Sequence, residues 1–145
     1  MRWAQARNDI VGPDNTTGAT FLQHTDPLWS AEGKLSMEGF WTVQFKGVQG
    51  FGTGVVTYIG GRVFGGDSAV MFMGTYDLQG NAVTMKLHVK QMVPGLMTVM
   101  GRKEYDLDLT GTLDGDTLKL AGNIPGTDER LSATVMKQCD LPPRA

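Results

Sequence analysis

The chain has 145 residues, with 13 basic side chains against 15 acidic ones and 20 glycines, for a net charge of −2. That length suits one domain burying roughly two thirds of its unfolded surface, and no Lys/Arg run exceeds the pair Arg102-Lys103, so the electrostatic footprint of a nucleic-acid binder is missing. No stretch approaches the roughly 20 consecutive apolar residues of a membrane-spanning helix, and the lone Cys139 excludes an intrachain disulfide.

The first residues lack the apolar run of a secretory signal. With a single thiol, a reducing cytoplasm is the expected compartment. Residues 1–36 mix Asn, Asp, Thr, Gly and Pro with isolated aromatics and show neither period 2 nor period 3.6, which predicts a flexible or disordered N-terminal tail. The sequon at Asn15 carries no meaning in that compartment. Met37 stands where strand character begins, so the expected domain runs over residues 37–138, followed by a short C-terminal tail over 139–145.

Within that domain the punctuation is glycine and the periodicity is two. Residues 38–45 form a first strand with Trp41, Val43 and Phe45 on one face; residues 52–59 form a second. The run Gly60-Gly61-Arg62-Val63-Phe64-Gly65-Gly66-Asp67-Ser68 predicts a short ribbon between two reversals, each glycine doublet supplying positive φ. Residues 69–78 and 82–90 follow, parted by Gln79-Gly80-Asn81. In the latter Val83, Met85, Leu87 and Val89 point inward and His88 faces solvent. Residues 91–101 are apolar without alternating, around Pro94-Gly95, with room for a helical turn or two. Strands at 105–113 and 117–121 meet at an Asp-Gly turn, and Leu131, Ala133 and Val135 mark the last.

Eight consecutive strands with one apolar face close most economically as an antiparallel up-and-down β-barrel, lipocalin-like (calycin-like) in shape; a sandwich is the alternative. The inward bulk of Trp41, Phe45, Phe72, Tyr76, Leu87 and Leu107 predicts a filled or narrow interior, and the same residues are the candidate contacts of any small hydrophobic ligand held there.

Gly39-Phe40-Trp41 is similar to the Gly-x-Trp opening of lipocalin-type barrels. A longer pattern joins Gly39, Trp41, Val43 and Phe45 to Gly52-x-Gly54-Val55-Val56, then to Gly65-Gly66-Asp67-Ser68, Gly74-x-Tyr76, Pro94 and Tyr105-x-Leu107. It resembles the GrlR-type family of negative regulators of type III secretion over roughly residues 37–137. The resemblance implies a small, usually dimeric barrel that represses indirectly, by binding a transcriptional activator protein. In the founding regulator an acidic Glu-Asp-Glu-Asp surface run is tied to that contact; the aligned turn here is Leu78-Gln79-Gly80-Asn81-Ala82, with only Asp77 nearby.

Candidate chemistry is sparse. Gly65-Gly66-Asp67-Ser68 has the composition of an anion-binding nest, but no helix or Lys follows at nucleotide-loop spacing, and Asp67 is better read as capping its own turn. His24 and His88 have no second ligand or carboxylate at a recognisable spacing, which opposes a metal, a haem or a nucleophile relay. Asp106 and Asp108 share an outer face as solvated charges. No catalytic set and no cofactor are expected. Met71 and Met73 point outward where polar residues are usual; with Met92, Met97 and Met100 they read as an adaptable subunit or partner surface, or, for the last three, as a plug over one barrel mouth. The functional expectation is a non-enzymatic regulator working through protein contacts, a homodimer with a protein partner. The alternative is a carrier of a small hydrophobic ligand.

Overall fold

Strand follows strand because most connections are short and each strand has one apolar face to bury. The computed structural model describes residues 36–96 and 98–144; the expected tail lies outside them except for Ser36. The strands are β1 (Gly39–Gly47), β2 (Gly50–Ile59), β3 (Arg62–Gly66), β4 (Val70–Gln79), β5 (Ala82–Gln91), β6 (Glu104–Asp114), β7 (Thr117–Asn123) and β8 (Arg130–Cys139). Each pairs antiparallel with the next, and β8 returns to β1 to close the barrel. Closure is in register through Val43 opposite Val135 and Thr42 opposite Met136, with one irregularity between Phe40 and Trp41. No sheet edge is left open. Among the described residues there is no helix: residues 92–96 and 98–101 are turns and irregular chain. β8 runs to Cys139, one residue into the expected C-terminal tail.

The turns at Gly60-Gly61, Gly80, Gly115 and the entry of β1 gather at one end of the barrel. The β1–β2, β3–β4, β5–β6 and β7–β8 connections gather at the other, as an up-and-down order requires. Gly60 and Gly61 both take positive φ, 57° and 81°, the geometry of a two-residue hairpin turn. The second doublet works differently. Gly65 and Gly66 are ordinary strand residues of β3, and the expected positive φ is not found there. A Cβ on Gly65 would stand 2.5 Å from the Phe72 ring and from the Val55 carbonyl oxygen. These glycines give space, and the reversal falls on Asp67-Ser68. The core is built from the inward positions of all eight strands, among them Val63, Val83, Leu118 and Val135.

Candidate functional site

The end at which β1 begins is sealed by aromatics. Trp41 is fully buried, and its Nε1 donates to the Met37 carbonyl at 2.9 Å. Tyr58 of β2 meets the Trp41 ring edge-on at 5.5 Å and Tyr76 of β4 edge-on at 5.4 Å. Burial, and then the neighbouring Tyr76, push the Tyr58 phenol far above its ordinary range; burial likewise raises Tyr76. None of the described residues gives the Tyr58 hydroxyl a hydrogen-bond partner.

Beyond this seal the barrel is hollow. A cavity of about 310 Å³ is lined by Phe45, Phe72, Leu87 and Leu107 together with smaller inward residues such as Val43, Val56, Val63, Ala133 and Val135. Of the expected filled or narrow interior, the narrow case is the one found. Bulk is concentrated in Trp41, Tyr58 and Tyr76 at one end, while valines and alanine occupy the middle layers and leave space. Of the six residues expected inside, Trp41 and Tyr76 close the end and the other four line the cavity.

At the opposite end the cavity reaches the surface beside the β3–β4 turn. Asp67 organises that turn as expected: its Oδ1 accepts the Ala69 amide at 2.7 Å and the Val70 amide at 2.9 Å. Tyr105, from the start of β6, stands next to it. Burial, and then the Asp67 charge, push the Tyr105 phenol up to about 12. Residues 98–100 fold across this mouth. The Gln49 amide donates to the Val99 carbonyl at 2.7 Å, and the Thr98 hydroxyl donates to the Arg102 carbonyl while accepting its amide. Arg102 forks onto Glu129 at 3.0 and 3.2 Å, tying this loop to the β7–β8 connection. Met100 lies under Gly47 and is only 2% exposed, so it is corrected from a surface contact to a plug residue. Met92 is exposed, with Val93 and Leu96; Met97 lies outside the described residues.

The outer wall is divided. On β8 and β1–β4 the outward positions include Met136, Phe40, Val55, Phe64 and Met73, all exposed, with Met71 half-buried. They form register rows: Phe40–Thr57–Phe64–Met73 is one, Met136–Thr42–Val55–Gly66–Met71 the next. Alternation alone revealed Met71 and Met73. Phe64, Val55 and Met136 were equally legible as outward partners of Val63, Val56 and Val135, but the register that joins them was not. On β5 and β6 the outward row is charged: Lys86, His88 and Lys90 face Asp108, Asp106 and Glu104. A membrane-spanning barrel is polar inside and carries its apolar band around the outside; here the interior lining is mostly apolar and the outer rows of β5 and β6 are charged. Among the described residues no helix is long and apolar enough to cross a membrane.

His88 faces outward as expected, but it does have carboxylate partners. Nδ1 lies 2.7 Å from Asp106 Oδ1 and Nε2 lies 2.6 Å from Glu104 Oε2. Because β6 pairs with β5, these groups are distant in sequence and adjacent in space. A neutral imidazole donates once; both bonds together require the imidazolium. The hydrogen bonds to Asp106 and Glu104 accordingly raise the His88 pKa. With both nitrogens engaged the ring is not offered to a metal, and among the described residues no group of His, Cys, Asp or Glu is arranged to hold one. Asp106 and Asp108 pair with His88 and Lys86, as surface charges do. Compared with known proteins, the chain matches no family model and no curated sequence.

Proposed function

We propose that this chain is a non-enzymatic regulatory protein that acts through protein contacts, binding a partner such as a transcriptional activator, and that two copies associate through the apolar half of the outer wall. One observation carries the reading: five adjacent strands expose Met136, Phe40, Val55, Phe64 and Met73 in consecutive rows, while the outer rows of β5 and β6 are charged. Scattered exposed apolar residues are ordinary, but a contiguous one-sided patch marks contact. A wall with few charges can also meet its own copy across a two-fold axis with little charge to desolvate, unlike the β5–β6 half. The resemblance to GrlR-type regulators points the same way. The partner-binding turn is not carried over, since the β4–β5 turn lacks the acidic run.

Light scattering should report a dimer. Phe64→Glu combined with Met73→Glu, which places two carboxylates opposite each other on the wall, should give a folded monomer. A monomeric wild type, or a variant that stays dimeric, overturns the proposal.

The cavity favours a second reading, a barrel that holds a small apolar ligand. Native mass spectrometry should then show a stoichiometric added mass that leaves on denaturation.

A further inference from the structure

The interior has a polarity that its volume does not convey. Its middle layers are apolar and its far end is sealed by Trp41 and Tyr58, whose hydroxyl is the polar group there; at the mouth stand Thr53, Asp67, Ser68, Thr98 and Tyr105. Among the described residues that line it there is one carboxylate and no Lys, Arg or His. Thr98 is committed to Arg102. Asp67 spends Oδ1 on two backbone amides, and its Oδ2 accepts no hydrogen bond from the described residues. The Tyr105 hydroxyl is likewise without a hydrogen-bond partner, although its residue is 8% exposed. An acceptor and a free hydroxyl therefore stand together where an apolar chamber opens.

We propose that the cavity binds a small apolar molecule with a hydrogen-bond-donating amine or hydroxyl head, held at the mouth beside Asp67 and Tyr105, and that it discriminates against anionic amphiphiles such as fatty-acid carboxylates. This rests on the ligand reading of the interior and is independent of the outer wall.

The head's N–H or O–H donates to Asp67 Oδ2, and a hydroxyl head in turn accepts from Tyr105. An ammonium head makes the stronger, charge-assisted bond. A carboxylate head meets the half-buried Asp67 with no cation in the lining to offset the repulsion. Asp67 already acts on its surroundings in this way, since its charge adds to burial in holding the Tyr105 proton on. The chamber, about 310 Å³, sits at the small end of the roughly 300–1,000 Å³ range of ligand pockets. At about 30 Å³ per water-sized group it has room for about ten such groups. A medium-length linear chain fits, and a large lipid does not.

The test uses the full chain and three probes with the same tail, n-octylamine, n-octanol and octanoate, titrated calorimetrically at neutral pH. Octylamine should bind at least about ten-fold tighter than octanoate, with octanol between them. Asp67→Asn, which keeps an acceptor oxygen for the Ala69 and Val70 amides, should bring the amine-to-carboxylate ratio close to unity. Leu87→Trp, which fills the chamber, should abolish binding of all three. Octanoate binding as tightly as octylamine overturns the head-group inference while leaving the ligand reading intact. The same holds for an Asp67→Asn protein with an unchanged ratio. If no probe binds wild type, or binding survives in a folded Leu87→Trp protein, the ligand reading fails and the inference with it.

Discussion

Tyr58 illustrates how a single group can be well packed and poorly satisfied at once. Its ring contacts Trp41 and Tyr76 edge-on, yet its hydroxyl is buried, at 2% residue exposure, without a hydrogen bond from any described residue. Removing an unpaired buried hydroxyl while keeping the ring removes a desolvation cost and little else. Tyr58→Phe should therefore raise stability by up to about 1 kcal/mol in urea unfolding; a clear loss would mean that the hydroxyl holds a partner. His88 makes the opposite case, an exposed group with two partners. Its folded pKa lies above the ordinary 6.5 of an unfolded chain because Asp106 and Glu104 accept from both nitrogens. The stability it contributes is thus fully present below about pH 6.5 and is lost as pH rises through the higher folded value. Thermal melts of wild type and His88→Gln from about pH 5.5 to about pH 8.5 should differ most at the acid end and converge at the alkaline end. A difference that grows with pH would refute the ion-pair account. The exposure of all three side chains keeps the effect small.

At the level of elements, strand order and facing were legible because period-two alternation is a local signal. Val83, Met85 and Val89 are buried and His88 is exposed, as the pattern of β5 requires. What could not be read was anything fixed by cross-strand approach. Gly65 and Gly66 have the composition of a turn, yet they lie in β3, where the Val55 carbonyl and the Phe72 ring come too close to Gly65, and the Val70 carbonyl too close to Gly66, for a side chain. Gly74 is the same kind of position, its missing Cβ replaced by the Lys86 carbonyl of β5. Gly74→Ala should accordingly cost about 1–3 kcal/mol through overpacking, although its φ is not positive. An alanine there that unfolds at the wild-type denaturant concentration would refute the steric account. The plug was half legible for a related reason. Residues 91–101 are apolar without periodicity, and only the contact with Gly47 and Gln49 decides that Met100 and Val99 turn in while Met92 and Leu96 stay out. The carboxylate partners of His88 were missed because β6 supplies them across a 12-residue connection, residues 92–103.

The whole molecule combines two departures from what stability alone would select: a hollow centre and an apolar outer wall. Each unfilled volume inside a barrel forgoes contacts that its lining would otherwise make, about 24 cal/mol for each Å³ of residual cavity. The aromatic seal, the closed hydrogen-bonded sheet and the Arg102–Glu129 tie across the mouth hold the chamber's shape without filling it. Filling it should therefore stabilise the fold and remove the proposed ligand binding together. Val135 lines the chamber from β8 and is almost wholly buried. Val135→Leu adds one methylene to that space, and should raise the unfolding free energy by about 0.5–1 kcal/mol while weakening the proposed octylamine binding and leaving the proposed dimer intact. Two measurements on one variant, urea unfolding and light scattering, separate the interior from the wall. A destabilised Val135→Leu protein would mean that the layer is already packed and the chamber lies elsewhere along the axis. A stabilised but monomeric one would mean that the cavity and the outer wall are coupled through β8, so that occupancy inside governs association outside.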